Sequence, residues 1–392
     1  MTYRLTDEEY HRILGFKRDL HMHPELSGKE YETTKKIRAF FEERPEFEIL
    51  PLEAPTGLVV RICGSQPGPE IMLRADIDAL PQTEAYDSEW KSQVPGVMHA
   101  CGLDFHTAAL LGGAMILERA KAEGCLKGTV DLVFQPAEEG TTGARKLIDS
   151  GLFGLIHPDA VFGMHNWPSV ETGRVVCHEG PLMSAKRNFE IRIYGSGGHG
   201  SMPHLNTDAI VCSGAVVQSL QTVISRNMDP MDNVLLSISM IQGGSPMNVV
   251  AGDVMMKATI RSLSDTALDR AIKRVQTIVE MTAKAYECRS EIIWSERIPT
   301  VYNTAEMTRM ARRISQVAGC ELTDIKPSLA SEDFALYRQF APAFFYWVGS
   351  TAAGDPVEDL HRPNFHTDDT ALYHAAAVYA ASVLEYGRKG ND

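Results

Sequence analysis

The sequence predicts an α/β protein: a discontinuous α/β domain with helices on both faces of a mostly parallel sheet, and an inserted ferredoxin-like domain. In the first half of the chain, strand-like and helix-like segments alternate. The order then changes to β-α-β-β-α-β, the ferredoxin-like unit, before the alternation resumes. We therefore predict that residues 1–183 and 299–392 form one domain and that residues 184–298 form the insert. A chain of 392 residues is longer than the roughly 250–300 residues at which a single hydrophobic core stops growing, so two domains are expected.

Each predicted element of the first domain rests on hydrophobic spacing. Apolar residues at helical spacing predict helices at 6–20 and 29–43, and Thr6 with Glu9 forms a capping-box pattern at the start of the first. Short apolar, β-branched runs predict buried strands. The remaining predicted elements are strands at 58–62, 71–74, 128–135, 159–164 and 344–348, and helices after Asp104 and at 142–150, 304–317 and 370–386.

The insert is complete in itself, with hinges predicted near Met183 and Pro299. Its first strand alternates polar and apolar residues, as a half-buried strand does. Its predicted elements are strand 187–194, helix 208–226, strands 234–241 and 254–260, helix 265–285 and strand 289–294.

Composition excludes several classes of protein. The net charge of −13 argues against nucleic acid or an anionic membrane as a partner. The first residues contain no apolar core of a signal peptide, and we find no apolar run of about 18 residues that would span a membrane. Seven cysteines without a CxxC pair favour free thiols in a reducing cytoplasm.

Two adjacent carboxylates, Glu138 and Glu139, directly follow the strand predicted at 128–135 and Pro136. Adjacent like charges repel and are costly to desolvate, so folding alone does not favour them at a strand end. At a metal site, one carboxylate binds the cation while its neighbour accepts a proton from water. The alternative interpretation is a solvated loop.

Further candidate ligands occupy equivalent positions, at the end of a strand or the start of a helix. They are Cys101 before a predicted helix, His165 after a buried strand and His361 before the last helix. Taken alone, the cysteine also fits a buried small hydrophobe and each histidine a structural role. Together with Glu139 they offer sulfur, carboxylate and imidazole, which suit a transition metal rather than Mg²⁺ or Ca²⁺.

Three other features of the sequence are weaker indicators of a functional site. His21 and His23, two residues apart, favour a turn over a ligand pair. The glycine-rich segment 195–204 of the insert contains His199 and lacks the Lys-Ser/Thr of a phosphate loop. Asn248 and Arg261 are candidate anion-binding residues, since Arg binds carboxylates bidentately, although a surface turn and a solvated strand residue explain them equally well.

With these motifs assembled, the chain resembles the aminoacylase-related metal-dependent amidohydrolases, a metallopeptidase family. The likeness is to the branch with hippurate hydrolases, N-acyl-L-amino acid amidohydrolases and indole-acetyl-amino-acid hydrolases. It runs nearly end to end. The motifs that carry it are Arg18-Asp19-Leu20-His21, Arg74-Ala75-Asp76-Ile77-Asp78-Ala79-Leu80-Pro81, Met98-His99-Ala100-Cys101-Gly102, Gln135-Pro136-Ala137-Glu138-Glu139-Gly140, His165-Asn166-Trp167-Pro168, Gly197-Gly198-His199-Gly200, Ser331-Glu332-Asp333-Phe334 and Leu360-His361.

The resemblance implies a catalytic domain with two divalent transition-metal ions (Mn, Zn, Ni or Co) and an inserted lid and dimerisation domain. Its implied metal ligands are Cys101 as a bridge, Glu139 and His361 for one ion, and His165 for the other. Glu138 is the implied general base, and His199 the residue that stabilises the oxyanion. Asn248 and Arg261 are implied to lie near the substrate carboxylate, in a homodimer.

One position departs from the family motif, which reads Cys-Gly-His-Asp with that histidine as a ligand. This chain has Leu103 there, and an aliphatic side chain cannot bind a metal. Three explanations are open: a natural or engineered variant with one weakened site, substitution by a neighbour such as Asp76 or His106, or a catalytically silent relative that binds ligand.

The expected activity is therefore metal-dependent hydrolysis of the amide bond of N-acyl amino acids, of N-acetyl or N-benzoyl type, in the cytoplasm. The alternatives are a dipeptidase or N-acetyl-diaminopimelate deacetylase on the same scaffold, or a metal-deficient variant that binds ligand without turnover.

Overall fold

The computed structural model describes residues 3–140 and 142–388, so the ends of the predicted segments 1–183 and 299–392, and residue 141, lie outside the described residues. The described α-helices are α1 (Asp7–Met22), α2 (Tyr31–Glu42), α3 (Leu103–Ala122), α4 (Gly143–Asp149), α5 (Leu152–Leu155), α6 (Ala209–Thr222), α7 (Asp265–Ala285), α8 (Ala305–Val317) and α9 (Ala371–Tyr386). The strands are β1 (Phe47–Ile49), β2 (Leu58–Cys63), β3 (Gln66–Asp76), β4 (Lys127–Gln135), β5 (Ala160–Glu171), β6 (Arg174–Val176), β7 (Gly180–Met183), β8 (Ala185–Tyr194), β9 (Gly198–His199), β10 (Val234–Gly243), β11 (Val249–Val250), β12 (Asp253–Ser262), β13 (Arg289–Ile298), β14 (Val301–Asn303), β15 (Glu321–Thr323) and β16 (Ala343–Thr351).

The chain forms two compact units. The first unit contains Met1–Gly180, Tyr302–Lys326 and Asp333–Asp392, and the second contains Pro181–Val301 and Pro327–Glu332. These two units are defined by how compactly the chain packs. The domain boundaries predicted from the sequence, with an insert at 184–298, stay a prediction.

The first unit is built on an eight-stranded sheet in the order β1-β2-β4-β3-β5-β16-β6-β15. Four of its seven neighbouring pairs are parallel: β4 with β3, β3 with β5, β5 with β16, and β6 with β15. Successive residues are buried along β5 and β16, so both faces of the central strands are covered. The predicted mostly parallel α/β sheet is confirmed.

Two glycines of α3 allow this helix to pack closely against α9. A Cβ atom on Gly112 would lie 2.9 Å from the Ala376 Cβ of α9, and one on Gly113 would lie 2.9 Å from the Tyr379 Cβ. The two helices therefore pack in close contact only because these positions are glycine.

At the N-terminus of the unit, the predicted capping box is also present, since the Thr6 hydroxyl accepts the Glu9 N–H at 3.2 Å.

The second unit is an antiparallel sheet in the order β10-β12-β8-β13. Its chain order is β8, α6, β10, β12, α7, β13, which is the predicted ferredoxin-like unit. Alternate residues of β8 and β12 join α6 and α7 in one apolar core. The predicted helix 208–226 continues beyond α6 as a π-helical turn, Val223–Asn227.

Two parallel strands of the first unit finish at the same edge: β3 at Asp76 and β4 at Gln135. Segments that follow such strands meet at that edge, where open α/β sheets bind ligands. No helix in the described part of the chain is both long and apolar enough to cross a membrane.

Candidate metal centre

Cys101 lies at the centre of the candidate site, directly before α3. Its buried Sγ is 3.3 Å from the Nε2 atoms of both His165 and His361. The next residue, Gly102, has a φ of 84° and caps the helix. A Cβ atom at Gly102 would clash with the Asn166 side chain, so the turn that orients Cys101 needs glycine there.

Glu138 and Glu139 follow β4 through a strained turn. Ala137 has a φ of 53°, in the left-handed region that residues with a Cβ atom rarely adopt. Its N–H donates to Glu30 Oε1 at 2.9 Å, while Asp78 accepts the N–H groups of Glu138 at 2.9 Å and Glu139 at 3.1 Å. Two buried carboxylates therefore fix the backbone of this segment.

The Asp78 carboxyl shows how much negative charge gathers here. Its pKa is raised to about 8, mainly by burial and also by Glu139 and Asp76, while the Ser27 hydroxyl that donates to it at 2.5 Å acts in the opposite direction. A bound cation would relieve this accumulation of carboxylates.

His165 is held as a neutral imidazole with one nitrogen available. Its Nδ1 lies 2.6 Å from the Asn166 carbonyl oxygen, which can only accept, so Nδ1 carries the proton. The lone pair of Nε2 therefore faces Cys101 Sγ. Burial lowers the pKa of His165 to about 3, and His106 adds to this.

His361 reaches the site from the loop between β16 and α9. Its φ is 61°, a second strained residue, and its N–H donates to the Ala100 carbonyl at 2.8 Å. Its Nε2 lies 3.5 Å from Glu139 Oε1, and interaction with this carboxylate raises the pKa of His361. The side chain is about half exposed, so solvent reaches this side of the site.

The structure thus brings three of the four predicted ligands, Cys101, Glu139 and His361, within 4.8 Å of one another. Glu139 Oε1 is buried without a hydrogen-bond partner, as an atom awaiting a ligand would be. Burial and the nearby glutamates raise the pKa of the Cys101 thiol well above its ordinary value, so a thiolate here requires a cation. Sulfur, oxygen and nitrogen donors of this kind fit a transition-metal ion.

Leu103 is the buried first residue of α3. The two neighbours considered as substitutes have other partners: His106 Nδ1 lies 2.6 Å from Asp76 Oδ1, and its Nε2 accepts the Asn166 N–H at 2.9 Å. Asp76 Oδ2 accepts from Arg74 at 3.1 Å. Although burial opposes its ionisation, Arg74 and His106 lower the pKa of Asp76. The geometry does not support substitution by either residue.

His21 belongs to a separate buried ion-pair network. Its Nδ1 lies 2.9 Å from Asp104 and its Nε2 lies 3.1 Å from Glu84, whereas His23 Nδ1 lies 2.8 Å from the Asp19 carbonyl oxygen. Burial opposes protonation of His21, but the two carboxylates outweigh it and raise its pKa to about 9. The two histidines have different partners and do not act as a pair.

The other predicted site residues lie in the second unit. The β9–β11 pair places His199 opposite Val249, and the Gly200 N–H donates to the Asn248 carbonyl at 2.7 Å. Arg261 lies on β12, where its guanidinium donates to the Leu329 carbonyl at 2.8 Å and burial lowers its pKa. The functional roles assigned to these three residues stay predictions.

Sequence reasoning missed the residues that support the glutamate pair. Asp78 enters the sequence analysis only as part of a family motif, and Glu30 does not enter it. A signal existed for Asp78, because it follows a strand that ends at the ligand edge. None existed for Glu30, which contacts Ala137 across 107 positions.

The geometry defines an α/β protein with a candidate metal site, and comparisons with known proteins agree with this class. The chain belongs to peptidase family M20/M25/M40, whose model matches residues 72–385. It is 39% identical over 378 residues to the N-acetylcysteine deacetylase of Bacillus subtilis, covering 96% of this chain and 97% of that relative. It is also 35% identical over 381 residues to an IAA-amino acid hydrolase of Arabidopsis thaliana, covering 95% of this chain and 85% of the relative.

A solved structure agrees with this assignment. The Bacillus subtilis YXEP protein, described as a dinuclear metal-binding peptidase of the M20 family, matches with a TM-score of 0.84 and 36% identity, covering 98% of this chain and 99% of that one. The predicted family is confirmed, and the chain is a hydrolase of the M20 class.

Proposed function

We propose that this protein hydrolyses the amide bond of N-acyl amino acids, of N-acetyl or N-benzoyl type, to a carboxylic acid and a free amino acid. The observation that carries the proposal is the Cys101–Glu139–His361 donor set with Glu138 held beside it by Asp78. Relatives named as an N-acetylcysteine deacetylase and an IAA-amino acid hydrolase support the substrate class.

Cys101, Glu139 and His361 would hold a divalent ion such as Mn²⁺, Zn²⁺, Ni²⁺ or Co²⁺, and the resemblance adds a second ion at Cys101 and His165. When bound, such an ion polarises a substrate carbonyl and lowers the pKa of water. Glu138 would be the general base: it is 7% exposed, and its backbone is fixed by Asp78. It would accept the proton of the attacking water and deliver it to the leaving amine.

In this proposal, His199 stabilises the oxyanion and Asn248 and Arg261 bind the substrate carboxylate. The tautomer of His199 supports its role. Its Nδ1 accepts the backbone N–H of Ser201 at 3.2 Å, so the opposite nitrogen, Nε2, carries a proton that it can donate.

The proposal also includes a homodimer in the cytoplasm. Strand β10 lies at an edge of its sheet and exposes Leu235, Met240 and Ile241 by 39–56%. Exposed apolar edge strands are templates for pairing with another chain. All seven cysteines are free thiols, which suits a reducing compartment.

A substrate panel with two matched variants tests the function. We expect hydrolysis of N-acetyl and N-benzoyl amino acids by the Zn²⁺- or Mn²⁺-loaded chain, with dipeptides and N-acetyl-diaminopimelate as the competing substrates. Glu138→Gln should retain the metal and lose roughly 100-fold or more in kcat, since general bases contribute about 10²–10⁴-fold. Glu139→Gln should instead lose the metal. Activity of Glu138→Gln within about twofold of the parent would contradict the assigned base.

A further inference from the structure

We propose that this chain binds one transition-metal ion tightly, at Cys101, Glu139 and His361, and that the His165 side of Cys101 lacks the donors to hold a second. This inference rests on the metal dependence of the proposed function. It separates the chain from the relative of known structure described as dinuclear.

The donors around Cys101 are unequally distributed. On one side, Glu139 and His361 each offer an atom within 4.8 Å of Sγ and of one another. With a water molecule, these three protein ligands would supply the four donors that zinc sites prefer. Glu139 Oε1, which has no hydrogen-bond partner, and the half-exposed His361 leave this side ready for an ion and for solvent.

On the other side, His165 Nε2 lies 3.3 Å from Sγ. The helix start that follows Cys101 presents Leu103, whose aliphatic side chain is 1% exposed and offers no donor. An ion there would have two protein ligands, of which Sγ is shared with the first ion. Three protein ligands are usual even in sites that keep an open position.

Near His165, the polar groups that the structure describes in the first unit do not make up the deficit. His106 uses both ring nitrogens, on Asp76 and on the Asn166 N–H. Asp76 and Glu138 offer oxygens within 4.8 Å of one another, but both Asp76 oxygens already pair, with His106 and Arg74. The Asn166 carboxamide is buried without a partner, and a neutral amide oxygen is a poor match for an ion selected by thiolate.

Metal content measured independently of activity tests the inference. The chelated chain is incubated with excess Zn²⁺, desalted and analysed by plasma mass spectrometry, and titration calorimetry gives the affinities. We expect one ion per chain, with any second ion bound on the order of 100-fold more weakly. Leu103→His should raise the content to two, because it adds an imidazole donor two residues from Cys101, at the position where the family motif has its ligand histidine, whereas Leu103→Ala should stay at one.

Each outcome decides something. Two tightly bound ions in the parent chain, or one ion in a folded Leu103→His variant, overturns the single-ion inference and leaves the proposed function intact. No bound ion at all overturns the proposed function itself. Electron paramagnetic resonance of the Mn²⁺-loaded parent needs no variant: the hyperfine pattern of isolated Mn²⁺ supports the inference, and an exchange-coupled pair contradicts it.

Discussion

His21 and His165 are both buried in the first unit, and each contacts a residue at or just before the start of α3, yet they differ in charge. His21 lies between Asp104 and Glu84, which raise its pKa to about 9. His165 donates to a backbone carbonyl and faces Cys101, and burial lowers its pKa to about 3. At neutral pH the first is a cation and the second is a neutral base.

This difference separates a structural histidine from a potential ligand. A histidine with a carboxylate on each nitrogen has no lone pair to give, whereas one that donates through Nδ1 to a carbonyl presents Nε2 to a metal. By this criterion His21 has a structural role and His165 belongs to the candidate site. Variants at both places test the distinction.

The largest effect is expected at the proposed ligands of the tightly bound ion. His361→Ala should lower kcat/KM for an N-acetyl amino acid on the order of 1,000-fold, since loss of a direct ligand exceeds the roughly 10- to 100-fold cost of losing its supporting partner. Metal analysis after desalting should show the ion lost. His165→Ala is the matched control and should keep its ion; equal metal loss in both would refute the assigned asymmetry.

The next effect concerns the His21 network. Asp104→Asn leaves a charged histidine buried beside one carboxylate, and we expect a loss of about 4 kcal/mol in the free energy of unfolding. Urea denaturation of the metal-free protein measures it. Asp19→Asn, which removes an exposed partner of His23 and Lys36, should cost less than about 1 kcal/mol. Similar costs for the two variants would mean that the buried network contributes no special stability.

The pH dependence of stability follows from the same histidine. Because the folded pKa of His21, about 9, lies above the unfolded value of about 6.5, its stabilisation is complete below about pH 6.5 and is lost as pH rises through 9. The free energy of unfolding should fall by about 3 kcal/mol over this window. Denaturation curves of the parent and of His21→Gln should differ in slope with pH there. Identical slopes would assign the loss to other groups.

The smallest effect is expected when the hydrogen bonds that hold the backbone of Glu138 and Glu139 are weakened. Asp78→Asn keeps one acceptor oxygen and so loses one of the two backbone bonds to Glu138 and Glu139. We expect kcat to fall about 10-fold with the metal retained, because the base is less well positioned. Asp131→Asn, at the buried ion pair with Arg61, should reduce stability and leave kcat unchanged. A normal kcat in Asp78→Asn would show that Asp78 does not position the general base.

The sequence predicted the sheet, the ferredoxin-like element order and the residues of the candidate metal site for one physical reason. Buried strands are apolar runs, and Cys101, Glu139 and His361 stand near the ends of such runs or helix starts, where open sheets place ligands. The supporting contacts were not predictable in this way. Glu30 reaches Ala137, and Glu84 reaches His21, across 107 and 63 positions, and no local pattern encodes such partners.

Backbone strain was also invisible in the sequence. Ala137, two residues before Glu139, and His361, itself a candidate ligand, have positive φ values, yet neither is a glycine or an asparagine that would signal a left-handed turn. Only the hydrogen bonds from their N–H groups to Glu30 and Ala100 show what holds them.

The most direct test of the account is a metal titration of the chelated parent chain, followed by release of free amine from an N-acetyl amino acid. We predict negligible turnover without metal and a rise that saturates as the Cys101–Glu139–His361 set fills. Full turnover by the metal-free chain, or none at saturating Zn²⁺, Mn²⁺, Co²⁺ and Ni²⁺ across the substrate panel, would contradict a metal-dependent amidohydrolase.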